Sequence, residues 1–228
     1  MDLLARVRAF AMPHGAPPET RVFMRETAKI RSGPNASWNP LTAEEWIDAR
    51  TLEFRWEARV RTAPLVTVHV VDAFENGAGE LTVRALGRIK VAGIRGPLAD
   101  RGELLRLLAS FPQCPMAFAE HPWLEWSSPG ESVLRLQCRT PTTAAALDFE
   151  VTRDGEIAGA SASDRPRQVG KTFIDTPWRA RGSEYREFGP LRVPTRTEAS
   201  WDLGAEGSFV YYSGEIGSVE LVGDSGVR

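Results

Sequence analysis

Leu52-Glu53-Phe54-Arg55-Trp56-Glu57-Ala58-Arg59-Val60 is the stretch that decides how this chain folds. Leu52, Phe54, Trp56, Ala58 and Val60 are apolar, and the residues between them, Glu53, Arg55, Glu57 and Arg59, are all charged. Successive side chains of a strand point to opposite faces, so this alternation puts five apolar groups on one side and four charges on the other. A helix, at 3.6 residues per turn, would scatter both sets around its surface. The reading is a strand with one buried face and one wet face.

Working outward toward the C-terminus, Pro64 ends that strand and Leu65 to Phe74 predicts another. Asn76-Gly77 supplies the positive-φ residues of a tight hairpin before Glu80 to Leu86 returns. Asp100 and Glu103 have the spacing of a helix capping box, with Leu104, Leu105, Leu107 and Leu108 on the inner side. Phe111 to Trp126 carries Pro112, Pro115 and Pro122 beside Trp123 and Trp126, and prolines at that density predict an irregular flap. Further strands are expected over Val133–Arg139, Ala145–Thr152, Glu156–Ser163, Trp178–Phe188, Leu191–Leu203, Phe209–Ser213 and Ile216–Leu221. Asp154-Gly155 turns one of these hairpins.

Toward the N-terminus, Thr42-Ala43-Glu44-Glu45 has capping-box form and predicts a short helix through Ala49. Val22, Met24 and Ile30 predict an imperfect strand from Arg21 to Arg31, broken by Pro34 and Asn35. Met1 to Met12 is apolar in patches interrupted by Asp2, Arg6 and Arg8. It therefore reads as a short amphipathic helix, neither a signal core nor a membrane span.

About ten strands joined mostly by short turns predict a mainly β chain: a single large curved antiparallel sheet, a half-barrel or open barrel, with two or three short helices covering the concave face. No repeat or linker is visible. The expected organisation is a helix and Pro-rich lead-in over residues 1–20, then a single β domain over residues 21–222 with a helical or irregular lid at about 100–126.

Composition narrows function more than it defines it. The 228 residues are 42% hydrophobic and 25% charged, which is the balance of an ordinary globular chain. Twenty-eight basic and 30 acidic residues leave a net charge of −2 with no basic field, so nucleic acid is not an expected partner. Cys114 and Cys138 form no CxxC unit, and with three histidines they offer no metal-ligand spacing, so no metal or cofactor is expected. A disulfide between them is allowed but not required. The default compartment is cytoplasmic, and a leader or anchor removed from the chain is compatible with the same reading.

Gly170-Lys171-Thr172 invites a phosphate-loop reading, but Arg165 stands where that motif needs glycine. Nucleophile-elbow, HExxH and dinucleotide signatures are absent too. Two function classes remain. In the first, Phe54, Trp56, Trp123, Trp126, Trp178, Tyr185, Trp201, Phe209 and Tyr211 line a cavity on the concave face. The cavity holds an apolar or amphipathic, lipid-like molecule whose polar end is oriented by Arg84, Tyr185 or Arg186. The plain alternative is that these aromatics fill a core. In the second class the same cavity houses a cofactor-independent acid/base enzyme, an isomerase, cyclase or hydrolase, built from His69, Asp72, Arg84, His121, Glu125 and Tyr185. His69 shares a strand face with Leu65, Thr67 and Val71, and Asp72 and Arg84 are expected on the other. A third reading, assembly through an exposed strand edge, predicts an oligomer without a pocket.

Several separated motifs also carry a resemblance. Trp38-Asn39-Pro40-Leu41-Thr42-Ala43-Glu44-Glu45, Phe54 to Val60, and Tyr185-Arg186-Glu187-Phe188-Gly189-Pro190-Leu191-Arg192-Val193-Pro194-Thr195 occur in order with Gly96-Pro97, Phe111-Pro112, Trp201 and Tyr211-Tyr212. From about Arg21 to Leu221 the sequence resembles an uncharacterised bacterial family of unknown function. The resemblance implies a curved antiparallel sheet with helices over its concave side, similar to the lipoprotein-carrier (LolA-like) fold, which elsewhere shelters acyl chains. It implies no reaction. Cys114, His121 and Glu125 depart from that pattern, at the lid where specificity would be set.

Overall fold

The computed structural model describes residues 2–85 and 89–223. Met1 of the expected first helix and Leu86 of an expected strand lie outside the described residues. Helix α1 (Leu3–Ala11) starts where the Asp2 carboxylate accepts the Ala5 N–H at 2.7 Å. Strands β1 (Arg21–Ile30), β2 (Asn39–Asp48), β3 (Glu53–Ala63), β4 (Val66–Glu75), β5 (Ala78–Ala85) and β6 (Ile89–Arg95) precede helix α2 (Pro97–Ala109). Short 3-10 turns at Phe111–Gln113 and Pro115–Phe118 follow. Then come β7 (Leu124–Gly130), β8 (Val133–Arg139), β9 (Ala144–Val151), β10 (Ile157–Val169), β11 (Thr172–Phe188), β12 (Leu191–Asp202) and β13 (Ser208–Val222).

These strands form one 13-stranded antiparallel sheet, curled into a half-barrel, in the order β6-β5-β4-β3-β2-β1-β13-β12-β11-β10-β9-β8-β7. Every neighbour is a chain neighbour except β1 and β13, which pair from Arg21↔Val222 to Ile30↔Tyr212 and join two meanders in the middle. The outer edges are therefore β6 and β7, which are consecutive in the chain. Their connection has to cross the whole sheet, and it does so over the concave face as α2 and the two 3-10 turns.

The alternation of residues 52–60 sets the faces as expected: Phe54, Trp56, Ala58 and Val60 are at most 5% exposed. Against this concave face α2 buries Leu104, Leu105, Leu107 and Leu108 completely. At the β7–β9 end the plug is aromatic: Phe118 packs on Phe111, Trp126 and Phe149 with ring centroids 5.6–6.0 Å apart.

Four expectations are corrected. Residues Thr42–Ala49 belong mainly to β2, not to a helix. A cap contributes only about 1 kcal/mol, whereas the ladders to β1 and β3 bury Leu41, Ala43 and Ile47. Helix α2 begins earlier than Asp100, after Gly96 (φ 104) with Pro97 preset for the first turn. The expected flap ends at Leu124, where β7 starts, and β6 had no counterpart in the sequence reading. The segments Phe209–Ser213 and Ile216–Leu221 are one strand, β13, with a register shift opposite Arg25 and Glu26. Gly170 and Lys171 make the turn between β10 and β11, where Gly170 takes φ 64, and Thr172 opens β11. Cys114 and Cys138 are free, buried thiols, and burial pushes Cys138 up to about 12.

Glycine 79 lets α2 lie backbone against backbone on β5. Its N–H donates to the Asp100 carboxylate at 2.8 Å, and a Cβ there would fall 2.5 Å from the Ala99 carbonyl oxygen. Gly79→Ala is expected to destabilise the protein by about 1–3 kcal/mol in urea unfolding. Gly33→Ala, which meets nothing within 4 Å, should stay within about 0.5 kcal/mol of the parent. Equal midpoints for the two variants would contradict this packing.

Candidate functional site

Strand parity places a row of unlike side chains across the concave face. Glu45 of β2 stands opposite Trp56 of β3, Trp56 opposite Asp72 of β4, and Asp72 opposite Leu81 of β5. Glu26 of β1 joins the row by accepting the Trp56 indole N–H at 2.6 Å. From above, α2 lowers Arg106 onto this row. Its guanidinium donates to Asp72 and, at 3.3 Å, to Glu45, and it lies over the rings of Phe54 (4.7 Å) and Trp56 (5.0 Å).

A second arginine faces the row from the other half of the sheet. Arg165 of β10 lies 4.4 Å over the Trp178 ring and donates to the Tyr211 hydroxyl at 3.2 Å, while Glu103 of α2 stands 4.0 Å away. Trp178 donates its indole N–H to the same hydroxyl at 3.0 Å.

Between these two groups lies a cavity of about 180 Å³. Its walls are largely apolar, with Ile30, Val70 and Leu81 on one side and Ile157, Ala160 and Ala180 on the other. Its polar lining includes Glu26, Glu45, Asp72, Arg106, Arg165, Tyr211 and Tyr212, together with Gln113, Arg181, Thr197 and Glu198 on the β10–β13 side.

Four carboxyls, Glu26, Glu45, Asp72 and Glu103, meet two guanidiniums here, and burial resolves the imbalance. Burial raises Glu45 to about 8, against the pull of Arg106 and with Glu26 and Asp72 adding to it. Burial, and then the Asp72 charge, holds Glu103 well above the carboxylate range against Arg165. Burial works against the charge on Arg106, but Asp72, Glu45 and Glu103 outweigh it and raise its pKa. Burial and the nearby Glu26 also keep Tyr212 a neutral phenol.

Residues 3–221 match a family of unknown function, DUF6920. The chain belongs to that family. Among solved structures, this DUF6920 chain is similar to a LolA superfamily protein from Nitrosomonas europaea (12% identity, 97% of this chain and 92% of that one, TM-score 0.55). A DUF1329 family protein from Desulfovibrio piger is as similar (11% identity, 100% and 92%, TM-score 0.55). A domain assigned to outer membrane lipoprotein sorting, from Vibrio parahaemolyticus, follows at 7% identity, 99% and 92% coverage and TM-score 0.51. At these identities the likeness is one of fold, and the fold is LolA-like. A search of curated proteins finds no match.

The DUF6920 structure separates the proposed catalytic residues. Of the six, only Asp72 lines the cavity. His69 pairs in register with both Arg59 and Arg84, so Arg84 shares the face of His69 and not that of Asp72, which corrects the expected parity. His121 receives the Trp123 N–H at 3.2 Å and lies 3.2 Å from the Arg50 carbonyl oxygen. Glu125 is exposed on edge strand β7 and pairs with Arg139. Tyr185 donates to the Ile157 carbonyl at 2.7 Å under the ring of Phe10.

The aromatic set divides as well. Trp56, Trp178 and Tyr211 line the cavity, and Trp201 stacks on Tyr211 at 5.6 Å. Phe54 is sealed beneath Arg106, Trp126 belongs to the aromatic plug, and Trp123 packs edge-on to His121. Arg186 is exposed beside Glu184.

Glu26, Glu45, Arg106, Arg165 and Tyr212 were not singled out from the sequence as site residues. The signal was a charge at an apolar beat: Glu26 follows Val22 and Met24, and Glu45 sits between Ala43 and Ile47. Reading Glu45 as part of a capping box concealed it. Among the described residues no group of His, Cys, Asp and Glu is placed to hold a metal ion, and no helix is long and apolar enough to cross a membrane.

Glu45 carries a pH signature. In the fold it keeps its proton up to about pH 8, whereas its ordinary value is 4.5. A raised carboxyl stabilises the fold fully below its unfolded value, and that contribution is lost as pH rises toward the folded one. Urea unfolding of the protein should therefore show stability falling from about pH 5 to pH 8. Glu45→Gln, neutral throughout, should flatten the slope in that window, and parallel profiles would contradict the assignment.

Proposed function

We propose that this chain binds an amphipathic, lipid-like small molecule between α2 and the concave face of the half-barrel. The observation that carries the reading is the shape of the lining: apolar side chains from β1, β4, β5, β10 and β11, with the polar groups of Arg106, Arg165 and Tyr211 among them under one helix. Pockets that fix an apolar molecule in one orientation have this composition. The gain would come from burying ligand surface at roughly 25 cal/mol per Å².

The cavity of about 180 Å³ falls below the roughly 300–1,000 Å³ of pockets for drug-sized ligands. Anything longer than a short chain therefore needs α2 to move outward. Helix α2 is suited to that role as the lid of a single unit over residues 21–222. It enters through Gly96 at positive φ and lies in the connection between the two sheet edges. The LolA-like fold supports the lipid class, and the neighbour assigned to lipoprotein sorting favours a periplasmic over a cytoplasmic compartment.

The neutral apolar dye N-phenyl-1-naphthylamine is expected to bind with enhanced fluorescence. Organic extraction of protein purified without detergent should yield one amphiphile class at near-stoichiometric amount by mass spectrometry. Ala160→Trp, which places an indole in the cavity, should reduce dye binding at least about tenfold while the circular dichroism spectrum is retained. Dye bound equally by this variant, together with an extract free of amphiphile, would overturn the reading.

A further inference from the structure

The two ends of the cavity differ in how far the protein satisfies them. At the β1–β4 end the acceptors have donors: Asp72 and Glu45 receive Arg106, and Glu26 receives Trp56. The carboxyl oxygens left over, Asp72 Oδ1 and Glu103 Oε2, belong to neighbouring carboxyls that interact side chain to side chain, and a proton held on Glu103 serves both.

At the β10–β13 end the Thr197 hydroxyl and the Gln113 side-chain oxygen, which also line the cavity, are buried without a partner among the described residues, and the charged group left unpaired is a donor. The Arg165 side chain is only 9% exposed, its Nε is buried without a partner among the described residues, and its nearest carboxyl oxygen, on Glu103, lies at 4.0 Å. The Tyr211 hydroxyl already accepts from Arg165 and Trp178, which offer donors only, so its own proton points away from both. A guanidinium buried with no close counter-charge is costly, and a ligand that brings one recovers that cost.

Resting on the proposed amphiphile binding and deepening it, we propose that the cavity selects molecules with an oxyanion head, a carboxylate or a phosphate monoester. The head is received by Arg165 Nε–H and the Tyr211 O–H, with the chain running along Val70, Leu81 and Ile157. The Trp178 ring beneath the guanidinium fixes its plane, so the head docks from one direction. An ammonium head would meet two donors and a cation there, and a hydroxyl head would leave the charge on Arg165 uncompensated.

Calorimetric titration with decanoate, decyl phosphate, 1-decanol, decylamine and inorganic phosphate separates the alternatives. Decanoate and decyl phosphate are expected to bind at least about tenfold more tightly than 1-decanol, the usual scale of a charge-assisted hydrogen bond, with decylamine weakest. Arg165→Met should erase that preference, with decanoate losing more affinity than 1-decanol. Tyr211→Phe, which removes one hydroxyl from an otherwise intact wall, should weaken decanoate more than 1-decanol, and it carries the test where Arg165→Met fails to fold. Equal binding of decanoate and 1-decanol would overturn the oxyanion head while sparing the amphiphile reading. Binding of no decyl compound would overturn both. Inorganic phosphate binding as tightly as decyl phosphate would overturn the amphiphile and leave a plain anion site.

Discussion

The insertion of Arg106 into the concave face is the contact on which the rest of this structure depends. A guanidinium carried by a leucine-rich helix is set over two aromatic rings and hydrogen-bonded to carboxyl groups from two strands. Desolvating such a charge is expensive, and only partners on both sides make it tolerable. Glu45, Trp56 and Asp72 are those partners because consecutive strands put them in one row. The helix is thereby held in one register, and its leucines seal the core to either side.

The topology explains why a cavity lies there at all. With β1 paired to β13 in the middle, the chain has to carry α2 from one edge of the sheet to the other. A single helix cannot fill a trough thirteen strands wide. The 3-10 turns and the aromatic plug close the β7–β9 end, and α1 packs near β12. Under the centre of α2 the sheet contributes small residues, Ala160, Ala180 and Ala199, and space remains between two arginine clusters. Polar groups at such a depth have to be matched one by one, and on the β1–β4 side Arg106 and Trp56 donate to Asp72, Glu45 and Glu26, whereas on the other side the Arg165 Nε–H is left without an acceptor among the described residues.

The sequence was most legible where a single period governed it. Residues 52–60 alternate without a fault and all but Leu52 lie in β3, Asn76-Gly77 makes the expected hairpin at φ 53 and 73, and residues 133–139 are β8 as read. It was least legible where a local signal competed with a distant one. Thr42 to Glu45 carries a helix cap in its letters and a strand in its neighbours, and the neighbours prevail because two ladders outweigh one cap. The site was hidden for the same reason. Glu26, Glu45 and Arg165 are charged residues on strands, ordinary in the sequence until the sheet shows which face they occupy. Three of the aromatics read as cavity lining do line it, while Trp123, Trp126 and Tyr185 pack elsewhere, because aromatic composition says nothing about which end of a trough a ring closes.

A crystal structure of the protein grown with decanoate tests the central claim most directly. The account predicts density for the acyl chain under α2 among Val70, Leu81, Ile157 and Ala160, with the carboxylate beside Arg165 and Tyr211. Density for decanoate only on the outer surface, with the space beneath α2 filled by protein side chains, would contradict it.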